Sequence, residues 1–201
     1  MIRLGILISG RGSNMLALVR AVQEGRIPGA EVAVVVSDHA KAEGVTLATN
    51  QNVKTQIVER AGRAREEHDG AIVEVLHEHK VDLVCLAGYM RVLSSYFLDQ
   101  FNNRILNIHP SILPAFPGLN AQLQAIEHGV KFTGCTVHFV DETLDGGPIV
   151  AQRIVPVLED DTEETLSVRI LEQEHELYPE AVAFVVSGAY EIDGRRVIKK
   201  T

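Results

Sequence analysis

Residues 4–36, LGILISGRGSNMLALVRAVQEGRIPGAEVAVVV, decide the fold. Leu4 to Ile8 reads as a continuous apolar strand. The Gly-rich turn SGRGSN follows, and Met15, Leu16, Leu18, Val19 and Val22 then recur at helical spacing. Gly25 to Gly29 stop that helix, and Val32 to Val36 is a second apolar strand. Strands apolar along their whole length are buried on both faces, which is the habit of parallel sheets with helices on either side.

The rhythm continues outward from this unit. A short helix spans Ala40 to Asn50, and a third strand spans Val53 to Val58. A helix from about Ala64 places Ile72, Val75, Leu76 and His79 at helical spacing, and Leu83 to Leu86 forms a fourth apolar strand. The alternation predicts an α/β fold: a doubly wound, mostly parallel, Rossmann-like sheet with helices on both faces. After Gly88 the pattern changes. Ser94 to Phe101 reads as a short helix, Arg104 to His109 as the fifth strand, and Ala121 to Glu127 as a helix closed by Gly129. Thr133 to Val140 alternates as an edge or mixed-sheet strand, and Ile149 to Val157 forms another. A long helix runs from a cap at Asp161 or Thr162 to about Val186 with Pro179 inside it, and Tyr190 to Ile198 reads as a hairpin around Asp193-Gly194.

With 201 residues, 46% hydrophobic and 23% charged, the chain fits one domain over 1–201 with a sizeable core. Its net charge of −8 argues against a general nucleic-acid or bilayer surface and leaves room only for a local basic cluster facing phosphate or carboxylate. The apolar runs are too short to span a membrane, and the N-terminus reads as a first strand instead of a signal peptide. Cys85 and Cys135 lie in strand patterns and are expected to be buried, reduced and structural.

Chemistry concentrates in residues 104–118, RILNIHPSILPAFPG, and in LDGGP at 144–148. Asn107 and His109 are two apart, so in an extended strand both side chains point to one face, where an amide and an imidazole can converge on one atom. Pro110, Pro114 and Pro117 then impose a stiff loop. Asp145, held by Gly146, Gly147 and Pro148, is either a turn aspartate or a carboxylate that orients an imidazole and supports its charged form. The turn Gly10 to Asn14 is either a phosphate site at a helix N-terminus or a tight strand-to-helix turn. It lacks the Lys of a Walker loop, and Met15 stands where a dinucleotide fingerprint has its third glycine. Asp38, just past the second strand, keeps a nicotinamide-binding module in competition. Glu174 lies on the apolar stripe of the long helix with Leu166, Ile170, Leu177 and Ala181, so it either snorkels to water or receives donors at a site. His77 and His79 point apart on their helix, and no metal motif occurs, so no metal is expected.

Together these segments resemble one family closely. ISGRGSN, VVVSD, LAGYMRVLS, ILNIHPSILPAFPG, TGCTVHFVDETLDGGPIV and QEHELYP follow the order and spacing of the glycinamide ribonucleotide formyltransferases, the folate-dependent formyltransferases of purine synthesis. NIHPS with LDGGP marks the wider formyltransferase class. The short length and the G-x-G-S-N turn select the glycinamide ribonucleotide member, because the tRNA-formylating and deformylase relatives carry an extra domain for which this chain has no room.

The resemblance implies formyl transfer from 10-formyltetrahydrofolate to the amine of glycinamide ribonucleotide by a cytoplasmic monomer or homodimer without metal. It implies a nucleotide-binding half over 1–100 and a catalytic, folate-binding half over 101–201. Asn107, His109 and Asp145 resemble the catalytic trio, with His109 protonated and its pKa raised by Asp145. Gly12, Ser13 and Asn14 resemble the nucleotide phosphate site, and Glu174 the ribose contact. Arg65, Tyr89, Met90, Arg91, Val92, Leu93, Val140, Asp141 and Leu144 resemble the folate side, with Arg91 suited as a planar fork to the glutamate tail carboxylate. One position departs: Asn120 stands where the family usually carries His. Whether Arg11 reaches the phosphate is left open.

Overall fold

In the computed structural model, which describes residues 1–200, the elements follow the predicted order. They are β1 (Ile2–Ile8), α1 (Ser13–Gln23), β2 (Ala30–Ser37), α2 (Glu43–Asn50), β3 (Thr55–Ile57), α3 (Arg65–Glu78), β4 (Leu83–Leu86) and α4 (Ser95–Gln100). Then come β5 (Ile105–His109), α5 (Ala121–Glu127), β6 (Phe132–Phe139), β7 (Ile149–Pro156), α6 (Glu163–Val186), β8 (Tyr190–Asp193) and β9 (Arg196–Lys199). All strands join one nine-stranded sheet in the order β3-β2-β1-β4-β5-β6-β7-β9-β8. β1 to β5 pair in parallel, whereas β6 is antiparallel to β5 and to β7. The third strand is shorter than its apolar run suggests, because it is an edge strand paired only to Val35 through Ser37 of β2.

Alternation within the strands sends side chains to two cores. Leu4, Ile6 and Ile8 of β1 pack with Leu18 and Val19 of α1 and with Ile170, Leu177 and Val182 of α6. Leu7 of β1, Val34 and Val36 of β2 and Val84 of β4 face the other way, against Ile72, Val73 and Leu76 of α3 and Phe97 of α4. No helix among the described residues is long and apolar enough to cross a membrane.

The sheet order reverses between β1 and β4, so the chain leaves their carboxyl ends in opposite directions and opens a crevice there. The Gly10 to Asn14 turn follows β1 and the Gly88 to Leu93 loop follows β4, one on each side of that opening. β5 extends the same edge and delivers Asn107 and His109 to it.

Helix α6 lies along one face of the sheet. Thr162 is its cap: the Thr162 hydroxyl accepts from Thr165 N at 3.2 Å, and Thr162 N donates to the Thr165 hydroxyl at 3.0 Å. Asp161 instead receives Arg169 through two hydrogen bonds of 2.7 and 2.8 Å. The helix continues through Pro179. Tyr178, fully buried, places its hydroxyl 3.0 Å from both the Leu86 and Leu106 carbonyl oxygens, on the adjacent strands β4 and β5.

Candidate active site

The antiparallel pairing of β5 with β6 sets Asn107 opposite His138 and His109 opposite Thr136. Asn107 Nδ2 lies 3.3 Å from His138 Nε2, and Asp145 reaches in from the turn after β6. Its Oδ2 is 3.4 Å from His109 Nδ1 and its Oδ1 is 3.6 Å from His138 Nε2. The carboxylate therefore sits between two imidazoles.

Partners elsewhere decide which ring nitrogens carry hydrogen. His109 Nε2 is 2.8 Å from the Phe116 carbonyl and His138 Nδ1 is 2.8 Å from the Phe139 carbonyl, and a carbonyl can only accept. Neutral His109 is thus the Nε2–H tautomer and neutral His138 the Nδ1–H tautomer. Their bare nitrogens both face Asp145, an arrangement that suits one mobile proton shared among the three groups.

The turn that carries Asp145 is shaped by close approach. A Cβ on Gly147 would stand 2.0 Å from the Phe139 carbonyl oxygen, so only glycine fits against β6. Asp145 itself has φ of 49°, and its Oδ2 accepts from Gly118 N at 2.8 Å. Opposite it, the proline-rich loop is tied down by Leu113 N donating to the Thr136 hydroxyl at 3.0 Å and that hydroxyl donating to the Ser111 carbonyl at 2.7 Å.

Burial dominates His109 and lowers its pKa from 6.5, against the raising effects of the Phe116 carbonyl and of Asp145. Asp145 does raise the His109 pKa, as its sequence position predicts, but removal from water outweighs the carboxylate, so the net shift is downward and favours the neutral ring. Burial would raise Asp145, but His138, the Gly118 N–H and the nearby His109 together outweigh it and hold the carboxyl below its usual range.

One cleft of about 520 Å³ opens from this group. Its lining includes Asn107, His109, His138 and Asp145 together with Arg65, the whole run from Tyr89 to Leu93, Val140, Asp141 and Leu144. Met90, Val92 and Leu144 are largely exposed along it, a row of apolar side chains open to a flat ligand. Asn120 also lines the cleft, as the left-handed residue before α5. Arg91 is anchored at one point of its guanidinium: its Nε donates to Asp38 Oδ2 at 2.6 Å. That pairing also buries Asp38 beneath Arg91, away from the ribose role its position suggested.

A second group forms around α1. Asn14 Nδ2 donates to Glu174 Oε2 at 2.7 Å, linking the Gly12-Ser13-Asn14 turn to the long helix. Glu174 is only 7% exposed, so it does not snorkel to water, and its one side-chain donor is Asn14. Burial pushes its carboxyl up to about 7, with the Asn14 hydrogen bond and the Arg11 charge pulling the other way. Gly12 has φ of 76° and no side chain caps α1, so the first helical N–H groups are open. A Cβ on Gly12 would stand 2.5 Å from Gly44 Cα, so the glycine there is demanded by α2 and not only by an approaching ligand. The division at residue 100 does not separate the two groups. The cleft takes Arg65 and Tyr89 to Leu93 from before it, and Glu174 crosses back to Asn14.

The formyl transferase family model matches residues 2–182. The chain belongs to the formyl transferase family. The chain is 38% identical over 200 residues to a phosphoribosylglycinamide formyltransferase of Escherichia coli K12, covering 96% of this chain and 94% of that one. It is 44% identical over 191 residues to the human trifunctional purine biosynthetic protein adenosine-3, of whose length it spans 19%. Among solved structures, glycinamide ribonucleotide transformylase 1 of Symbiobacterium toebii superposes with a TM-score of 0.98 at 53% identity, covering all of this chain and 95% of that one.

One residue of this cluster that the sequence pattern does not reveal is His138. Its strand alternation marked it only as one face of β6, and what brings it to Asn107 is the register of two antiparallel strands 31 residues apart. A search for polar residues on β6 that share the face of Thr136 would have flagged it.

Proposed function

We propose that this chain transfers the formyl group of 10-formyltetrahydrofolate to the amine of glycinamide ribonucleotide in purine biosynthesis. The observation that carries the reading is the convergence of Asn107, His109 and Asp145 at the inner end of a cleft walled by Tyr89 to Leu93 and Val140 to Leu144. The folate occupies that cleft, with Arg65 and Arg91 near its carboxylate tail. The nucleotide phosphate sits on the open N–H groups at Gly12, Ser13 and Asn14, where the helix dipole favours an anion. Glu174 accepts the ribose hydroxyls. The two buried free thiols, Cys85 and Cys135, support a reducing compartment such as the cytoplasm.

The chemistry uses the chain's own groups. The neutral amine attacks the formyl carbon, and Asn107 Nδ2 donates to the oxygen as it becomes an oxyanion. The amine gains positive charge in that step and gives up a proton to the Asp145–imidazole cluster. His109, neutral beforehand, takes it on Nδ1 and becomes an imidazolium beside the oxyanion, adding to its stabilisation. As the C–N bond to the folate collapses, the same proton passes to the departing folate nitrogen. One N–H is lost from the amine and one gained by the folate, so no covalent enzyme intermediate is required.

The test mixes the protein with 10-formyltetrahydrofolate or 10-formyl dideazafolate and follows the folate absorbance on adding glycinamide ribonucleotide. Turnover that needs both substrates is expected. Release of formate without the nucleotide, or absence of turnover with both, refutes the reading.

A further inference from the structure

Asp38 is the one acid singled out by its sequence position that the proposed reaction leaves unused. It follows β2, is 3% exposed, and lies at the sheet edge where the strand order reverses. Its Oδ2 accepts from Arg91 Nε at 2.6 Å, and the exposed His39 ring stands 3.9 Å from the same oxygen. Its Oδ1 is buried and finds no partner in the protein. A carboxylate taken out of water with a single close partner is costly, so the burial calls for a reason beyond packing.

The Gly88 to Leu93 loop does not need Asp38 to hold its backbone. Met90 N donates to the Ser9 hydroxyl at 3.0 Å, Ser9 N donates to the Gly88 carbonyl at 3.1 Å, and Ser94 N donates to Asp69 Oδ2 at 2.6 Å. Asp38 alone takes hold of a side chain. Arg91 lines the cleft, its side chain is 29% exposed, and its two terminal nitrogens donate to no group among the described residues. A guanidinium held at Nε keeps both terminal N–H pairs, the edge that meets a carboxylate bidentately.

We propose that Asp38 is a positioning residue for the formyl donor, anchoring Arg91 through Nε so that its terminal nitrogens await the donor's carboxylate tail. This rests on the reading of Arg91 as a partner of that tail. The long side chain has surrendered its rotamer freedom before the donor arrives, and affinity gains what binding would otherwise lose in ordering it. An amide at position 38 retains an oxygen for Nε, so the anchor does not require the charge.

The experiment compares KM for two donors: 10-formyl dideazafolate with its glutamate, and the analogue truncated to the benzamide. Asp38→Ala is expected to raise the glutamyl donor's KM about tenfold, leaving kcat, nucleotide KM and the truncated donor's KM within about twofold. Asp38→Asn is expected to restore the glutamyl donor's KM to about the wild-type value. Three outcomes overturn the proposal: no change in Asp38→Ala, an equal rise for both donors, or a fall in KM, which would make Asp38 a competitor of the tail. Should Asp38→Ala not fold, as judged by thermal unfolding, Asp38→Ser takes its place with the same expectations. Arg91→Ala tests the underlying reading separately. If that variant affects both donors alike, Arg91 is not the tail's partner; if it discriminates and the Asp38 variants do not, only the positioning fails.

Discussion

Glu174 and Asp145 are both carboxylates drawn out of water at the same edge of the sheet, and their surroundings drive them in opposite directions. Glu174 has one hydrogen-bond donor, Asn14, and its pKa rises to about 7. Asp145 has a backbone N–H at 2.8 Å and two imidazoles within 3.6 Å, and its pKa falls below 3.8. Burial raises both and weighs more on the more deeply buried Glu174, whereas at Asp145 the Gly118 N–H and the charge its two imidazoles can carry outweigh it. A group kept fully ionised beside two bare ring nitrogens suits proton movement. A poorly supplied one suits a ligand that brings its own hydroxyl donors.

The largest expected effect lies on the Asp145 side. His109→Ala and Asp145→Asn should each lower kcat by on the order of a hundredfold or more with substrate KM values little changed, read by steady-state kinetics. Near-normal turnover in either would break the contrast by removing the proton-handling cluster.

Stability against pH sharpens it next. The Glu174 carboxyl holds its proton more tightly when folded than at its ordinary 4.5, so unfolding releases a proton between 4.5 and about 7 and stability falls as pH rises through that window. Glu174→Gln removes that cost. Urea unfolding without substrates should show it more stable at pH 8 by up to about 3 kcal/mol, the gain shrinking as pH falls toward 4.5. Asp145→Asn should show no gain at pH 8, since its lowered pKa means the charged form is the one the fold supports.

Substrate binding should separate the two acids again. Glu174→Ala is expected to raise the nucleotide KM by about ten- to a hundredfold while kcat falls much less, the pattern of a contact remote from the formyl carbon. An unchanged nucleotide KM would leave Glu174 as a carboxylate without a ligand.

Much of this molecule was legible in the chain. Strand and helix periods located every element, because apolar strands and amphipathic helices announce themselves within ten residues or so. Asn107, His109 and Asp145 stood out because proline and glycine runs fix their neighbours. Pairings over long separations did not: His138 depends on strand register, and the Asp38–Arg91 contact joins residues 53 apart. The downward shift of His109 depends on its burial in the folded chain, which no local pattern encodes. The steric demand of Gly44 on Gly12 joins residues 32 apart and is equally invisible in a local pattern.

The smallest effect concerns His138, whose charge works to lower the His109 pKa. Activity needs neutral His109, so the acid limb of kcat/KM should lie below pH 6.5, where its pKa is lowered from. His138→Gln should move that limb upward by roughly a few tenths of a pH unit, as measured in a full pH–rate profile. A limb that moves downward would show that His138 does not act on His109 through charge.

Tyr178 stands four residues beyond Glu174 on α6, and its hydroxyl touches the carbonyls of Leu86, the last residue of β4, and of Leu106, the residue before Asn107. The helix is therefore a spacer about one turn long, roughly 6 Å, between Glu174 and the strands that bear the cleft. Deleting a single residue between 174 and 178 would swing Glu174 by about 100° around the helix axis while Tyr178 kept its place. Along this stretch many side chains could be exchanged, but the count of residues could not.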